Sequence, residues 1–349
     1  MKLHPVYWIL AAVMTAGGIG LMTAGAAKMH DERKANVYSE EKTVEVGEGY
    51  GLDIRLSAGN LVLTASESQE LCEISLENIP KGVEIYEEDG VLHIVNEFNW
   101  TSLWTNGFTR INAGKVTVAL PDYVYDSVNI DLGAGNGSVT GIDCRKLEID
   151  CGAGDASLSD STAKEGIFDC GAGEFTGERL DFDALRISCG MGSNTLRDSK
   201  AGDLIVEIGA GDALLSGVDV KGGAQFSLGM GDLSTDGMQV GGRTVIDAGA
   251  GSCTMQDGSF AEDVTCELGA GDLEILDSTL RGDLEIESAA GDVTLSLREE
   301  ADAFDVDCSD VVGDVNIGDK HTKSMSSSHA DHKITVEGMG DVEIRFTGE

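Results

Sequence analysis

The segment Gly269-Ala270-Gly271-Asp272 sets two glycines around a small residue and follows them with a carboxylate. Three kinds of chemistry use such a stretch. Glycines open the backbone so that N–H groups cradle a phosphate at the start of a helix. Acids and glycines in one loop hold calcium through oxygen. A glycine also turns a chain where any side chain would collide. The number of copies separates these readings. The triplet recurs at Gly133-Ala134-Gly135, Gly152-Ala153-Gly154, Gly171-Ala172-Gly173, Gly190-Met191-Gly192, Gly209-Ala210-Gly211, Gly229-Met230-Gly231, Gly249-Ala250-Gly251 and Gly269-Ala270-Gly271, with a last form at Ala289-Ala290-Gly291. Successive copies lie 19 residues apart four times and then 20 apart four times. Looser echoes sit at Ser57-Ala58-Gly59-Asn60, Gly313-Asp314 and Gly338-Met339-Gly340-Asp341.

The phosphate reading fails on the residues after the glycines. A dinucleotide fingerprint leads into a helix, and a P-loop ends in Gly-Lys-Ser/Thr. Here each triplet leads into an alternating, strand-like run, and no Gly-Lys-Ser/Thr occurs.

The calcium reading has more support. Behind the triplets stand Asn136, Asp155, Glu174, Ser193, Asp212, Asp232, Ser252, Asp272 and Asp292. Stacked like charges about 5 Å apart in water repel by about 1 kcal/mol per pair, which a divalent cation relieves. Weak calcium binding along Asp155, Glu174, Asp212, Asp232, Asp272 and Asp292 is therefore the one metal expectation, and no other cofactor is expected. Two features oppose dedicated sites. Calcium-binding β-rolls repeat every nine residues with Gly-Gly-x-Gly-x-Asp, and the same acids can accept backbone N–H bonds at a turn.

No catalytic residues are expected. A carboxylate pair for glycoside hydrolysis, or a basic residue for elimination, would break the repeat, and residues 127–298 keep to pattern. Histidine is confined to His4, His30, His93, His321, His329 and His332, so no Ser/His/Asp set can be assembled. His321, His329 and His332 lie near Asp331 in the Ser-rich stretch 318–333, but their spacing matches no closed metal site.

These residues are positioned by strands. Three residues before the triplet lie Ile130, Ile149, Phe168, Ile187, Val206, Phe226, Ile246, Cys266 and Ile286; one before it lie Leu132, Cys151, Cys170, Cys189, Ile208, Leu228, Ala248, Leu268 and Ser288. Between them runs a polar column from Asp131, Asp150 and Asp169 to Glu267 and Glu287. Period two, with inward apolar positions, is the strand signature. Twenty residues per unit with breaks at Asp160-Ser161, Asp198-Ser199, Gly202-Asp203, Asp277-Ser278 and Gly282-Asp283 predict one turn of a parallel β-helix per repeat. The fold class is thus an all-β solenoid of 19–20-residue coils. The residue between the two glycines is small enough for an inward or tightly packed site.

The chain divides into four segments: a membrane anchor or signal segment at 1–35, irregular first coils and a cap at 36–126, regular repeats at 127–298, and irregular closing coils at 299–349. "ITVEGMGDVEIRF" near the C-terminus is expected to close the stack. The aromatic stretch 96–110, with Phe98, Trp100, Trp104 and Phe108, reads as a loop over the open core end or as a contact surface. Cys151, Cys170 and Cys189 share one inward column. Stacked at about 4.8 Å, they are too far apart for easy disulfides and take the place of Leu and Ile.

Acids outnumber Lys and Arg by 62 to 24, a formal net charge of −38, which repels nucleic acid. Residues 6–27 carry no charge and are long enough to span a bilayer as a transmembrane helix. The expected location is the cell membrane, single-pass, with the bulk of the chain extracytoplasmic. Ala24-Gly25-Ala26 also fits a cleavage site, so secretion after signal removal is the alternative.

The LSAGNLVL stretch at 56–63, "VTVALPDYVYDSVNIDLGAGNGSV" and the serial Gly-Ala-Gly-Asp strands resemble the bacterial putative-adhesin family of β-strand-repeat proteins. The resemblance covers nearly everything after about residue 43. It implies a right-handed parallel β-helix and a cell-envelope role, with no catalytic residues to carry over. The expected function is a non-enzymatic, membrane-anchored, adhesin-like binding or scaffold protein, its partner an envelope protein or cell-wall carbohydrate. An envelope-stress component acting through protein partners and a carbohydrate-active β-helix enzyme are the alternatives.

Overall fold

A computed structural model describes residues 37–66, 70–80, 82–96 and 114–348. The apolar segment 6–27 and the residues Phe98, Trp100, Trp104 and Phe108 lie outside them. Among the described residues no helix is long and apolar enough to cross a membrane, and helical structure is a single 3₁₀ turn, Ala301–Ala303.

The chain is an all-β solenoid, and the triplet is its corner. The strand before each triplet stacks in parallel register on its counterpart one repeat away, as Ile246 does on Phe226 and Cys266. Short strands after the triplet form the second wall, for example Leu233–Asp236 between Ala213–Ser216 and Cys253–Gln256. Alternation becomes burial: Phe226, Ile246 and Cys266 are sealed in the core, while Asp247 and Glu267 between them face outward.

The corner requires glycine for a steric reason. Gly211 has φ +139°, and a Cβ there would lie 1.9 Å from the carbonyl oxygen of Gly192 in the coil beneath. The first glycine is nearly as restricted, since a Cβ on Gly209 would lie 2.6 Å from Gly190 O. No side chain fits between coils stacked about 4.8 Å apart. The residue between the glycines, whose direction the sequence leaves open, faces solvent where it is methionine: Met191 and Met230 are 62% and 63% exposed.

The change from 19 to 20 residues has a visible place. Lys200–Ala210 is one continuous strand, whereas the next coil divides into Asp219–Val220 and Ala224–Met230. Ala201 pairs with Val220 and Leu204 with Ala224, so the extra residue sits in the Gly222-Gly223 bend. A third corner uses Asp160, Asp198 and Asp277 in left-handed backbone, at φ +52°, +47° and +47°. The serines after them are buried. Each hydroxyl donates to a carbonyl two residues back and accepts a backbone N–H from a neighbouring coil, as Ser278 does with Leu276 O at 2.9 Å and Gly258 N at 3.0 Å.

All eight cysteines are free and buried. Cys151, Cys170 and Cys189 stack in register. Burial, and then the neighbouring thiols, push Cys170 up to about 12, so these thiols are packing groups with little thiolate at neutral pH.

Coil order at the two ends departs from chain order. The first nine strands are β1 (Val37–Val44), β2 (Gly51–Leu56), β3 (Asn60–Ser66), β4 (Cys72–Pro80), β5 (Glu84–Glu88), β6 (Val91–Asn96), β7 (Lys115–Pro121), β8 (Val124–Leu132) and β9 (Gly137–Thr140). β2 lies between β6 and β8, and β3 between β7 and β9, all in parallel register. The first coil in sequence is therefore second in space, and the β6–β7 coil lies outside it. β5 and β4 then add antiparallel strands to the two walls, with β1 beyond β4.

The C-terminus repeats the arrangement. His332–Met339 pairs with Leu284–Ser288 on one side and Phe304–Asp307 on the other, and Val342–Phe346 lies between Val293–Leu297 and Val315–Ile317. "ITVEGMGDVEIRF" thus does not close the stack, as its position in the chain predicts. It is the penultimate coil, and residues 304–317 lie beyond it.

Candidate functional site

The outward acids and the corner glycines together make a trough. Immediately before each corner, one residue points out, one points in, and the glycine has no side chain. The result is a wall of carboxylates beside a glycine floor. Two stretches of it hold about 440 Å³ around Ser188, Glu207 and Asp247, and about 540 Å³ around Asp247, Glu267, Glu287 and Glu337. Asp247 belongs to both, so they are parts of one channel along the stack. Among the described residues no Trp or Tyr lines either part.

Carboxylates in adjacent coils perturb one another. Asp150 is raised from the ordinary carboxylate range, first by partial burial and then by Asp131 and Asp169 above and below it. Few cations compensate. Arg186 reaches Glu207 at 2.7 Å, and Arg55 stands in register with Asp131 where the trough meets the N-terminal coils.

The acids behind the triplets do different work. Asp155, Asp212, Asp232, Asp272 and Asp292 each accept the backbone N–H of the counterpart in the next coil. Asp232 N donates to Asp212 Oδ1 at 3.1 Å, Ser252 N to Asp232 Oδ1 at 2.8 Å, and Asp292 N to Asp272 Oδ1 at 2.9 Å. Glu174 N donates to Asp155 Oδ1 at 3.1 Å. The series follows the spatial order of coils at both ends: Asn136 N to Asn60 Oδ1 at 3.0 Å, then Asp341 N to Asp292 Oδ1 at 2.8 Å and Asp314 N to Asp341 Oδ1 at 2.9 Å. The structure brings Asp155, Glu174, Asp212, Asp232, Asp272 and Asp292 into one column, and the aspartate oxygens among them accept main-chain N–H groups, while Glu174 joins the series through its own N–H. Among the described residues no three His, Cys, Asp or Glu side chains converge on a metal position.

The histidines of 318–333 are not gathered either. His321 Nδ1 faces Asn316 Oδ1 at 3.3 Å, His329 Nδ1 faces the Ser328 hydroxyl at 3.2 Å, and His332 packs against Phe304.

One cluster escaped the sequence reading. Asp53 is 7% exposed although its column faces outward. It contacts His93 Nδ1 at 2.8 Å and Arg55 Nη2 at 2.9 Å, and Tyr86 stacks on the His93 ring with centroids 4.8 Å apart. These residues meet through the out-of-order pairing of β2 with β6, forty residues away. Local periodicity carries no trace of that pairing.

A model of the family Toastrack DUF4097 matches residues 50–225 and again 192–345. The chain belongs to this family. No curated protein matches it. Among solved structures, it is similar to a putative adhesin from Bacteroides fragilis NCTC 9343, at 12% identity over 88% of this chain and 96% of that one, with a TM-score of 0.29. A putative adhesin from Parabacteroides merdae ATCC 43184 gives 11%, 88%, 96% and 0.32. A putative cell adhesion protein from Clostridium sporogenes ATCC 15579 gives 12%, 89%, 99% and 0.22. At such identities and TM-scores, these likenesses carry no inference about what this Toastrack chain binds.

Proposed function

We propose that this Toastrack protein is a non-enzymatic, adhesin-like binding or scaffold protein of the cell envelope. Residues 6–27 hold it in the membrane, and the solenoid stands outside the cytoplasm. The observation that carries this reading is the trough. It is shallow, lies along the stack and presents acids coil after coil without a cluster of converging groups. A partner recognised by such a surface is extended, contacts several coils at once and brings cationic or hydroxyl-rich groups to the carboxylates. A basic segment of an envelope protein or a cell-wall carbohydrate has that chemistry.

The test is capture from envelope extracts by the full chain, with a variant carrying Glu267→Gln and Glu287→Gln. Both side chains are on the outward face, so the variant keeps its fold. It is expected to lose most of the captured material at low salt; equal capture would remove the trough from the mechanism. Retention in membranes after a carbonate wash tests the anchor. Release as a shortened chain would mean a secreted protein.

A further inference from the structure

We infer that the interleaved ends make this solenoid a load-bearing clamp, one that resists separation of its two termini. In a solenoid whose coils follow chain order, the terminal coil has one neighbour and peels away as an edge strand does. Here tension on the N-terminus passes through β1, an edge strand whose strand partner is β4, and then meets a coil gripped on both faces. β2 has six registered pairs with β6 and six with β8. β3 has seven with β7 and four with β9.

The main-chain bonds are made on both sides. Gly133 N donates to Leu56 O and Gly59 N to Ala134 O, each at 2.9 Å, on the inner face. Asn60 N donates to Gly114 O at 2.8 Å and Gly51 N to Gly90 O at 2.9 Å on the outer face. Extracting this coil means breaking two ladders together or dragging the outer coil along.

Tension from the C-terminus meets the same arrangement. Val342–Phe346 is held by Val293–Leu297 and Val315–Ile317. The fit is close on both faces: a Cβ on Gly340 would lie 2.0 Å from Gly291 O, and one on Gly313 would lie 1.9 Å from Gly340 O. Both ends lock by one device, although their sequences differ. A tether between a membrane and a bound partner carries load through its termini, so the inference gives the proposed role a mechanical basis. It is tested apart from that role.

The experiment is single-molecule pulling on the full chain in detergent, with no partner present. One handle stays at the C-terminus. The other is placed either at the N-terminus or by insertion after Gly82, which loads β5, an edge strand paired with β6, and then β6, left with β2 as its one flanking strand once β5 has detached. Once β1 has detached, the terminal geometry is expected to rupture at a force about two-fold higher, because two ladders share the load. Equal forces, or coil-by-coil peeling from the first coil in both geometries, would overturn the clamp.

Hydrogen exchange on the unloaded chain is the second readout. Amides of β2 are expected to be as protected as those of Thr244–Ala250, and exchange at the rate of a fraying end would also overturn it. Failure of capture or of membrane retention leaves both readouts unchanged, so the two proposals fail separately.

Discussion

The coil around Asp272 and the coil around Ser193 occupy equivalent turns of the stack and differ in nearly every side chain that matters. In the first, Leu273 fills the core behind the corner. Asp272 accepts Asp292 N, and its own N–H reaches Ser252 Oγ at 3.5 Å. In the second, the core position is Asn194, 3% exposed, with neither Nδ2 nor Oδ1 bonded. Ser193 makes no side-chain rung. Yet the backbone is the same in both: Leu273 N donates to Asp292 O at 2.9 Å and Asn194 N to Asp212 O at 2.8 Å. The fold therefore depends on the glycine corner and the main-chain ladder. Side-chain rungs and core residues set how stable each coil is.

Core polarity gives the sharpest break. Phe226→Asp or Ile246→Asp buries an unpaired charge where the coils are tightest and should cost about 5 kcal/mol or more. A retained native melting transition would refute the packing described. The corner comes next. Gly271→Ala places a Cβ 2.0 Å from Gly251 O at φ +137°, for a loss of about 3 kcal/mol. Gly237→Ala, at φ +65° with open space around it, should lose only about 1 kcal/mol. Equal losses in chemical denaturation would mean that backbone conformation, not coil stacking, demands glycine.

Asn194→Leu runs in the opposite direction. It makes the weaker coil resemble the stronger one and should add about 2 kcal/mol by removing an unsatisfied buried amide. A lower melting temperature would mean that the amide has a role in the core. Asp272→Ala should cost about 1.5 kcal/mol through its lost rung, whereas Ser193→Ala should be neutral. If the rungs serve the backbone, calcium should raise the melting temperature no more than an ionic-strength-matched sodium control.

The smallest effect concerns pH. Asp150 is raised in the folded chain, so its contribution is fully present below the ordinary carboxylate range and is lost as pH rises through its folded value. Asp150→Asn should therefore stabilise slightly at pH 7, by less than about 0.5 kcal/mol, and not at pH 3. Asp160, held low by its hydrogen bond to Arg179, has the opposite sign. Its contribution is present at neutral pH and lost in acid.

The repeating coils were legible because one residue type had one possible place. Glycine at a 19- or 20-residue period marks the corner, and apolar residues around Asp131 or Glu267 mark the wall. The column of Asp155 to Asp292 was legible as a column, but its chemistry was not. A carboxylate facing a cation and one facing a neighbouring N–H carry the same letter. The direction of Met191 was not legible, because a small residue between two glycines suits either side of the wall. The Asp53–His93 contact and the place of 332–346 were illegible for a different reason. Pairing partners at the ends are chosen by edge availability in space, and β2 carries the same alternation whichever neighbours it takes.

Interleaving also sets a timetable for making the protein. When Gly51–Ser66 leaves the ribosome, neither strand pair that will flank it exists, because β6 to β9 are synthesised up to seventy-odd residues later. At the other end, Phe304–Asp307 and Val311–Val312 have no parallel partner until His332–Met339 arrives, and Val315–Ile317 has none until Val342–Phe346 does. Domains usually consolidate from the N-terminus as they emerge. This chain holds its first coil open until β6 to β9 follow, and its outermost C-terminal coil until residues 332–346 follow. A copy ending near residue 329 lacks the strands that seat the outermost C-terminal coil, leaving Phe304 and Val315 without their neighbours.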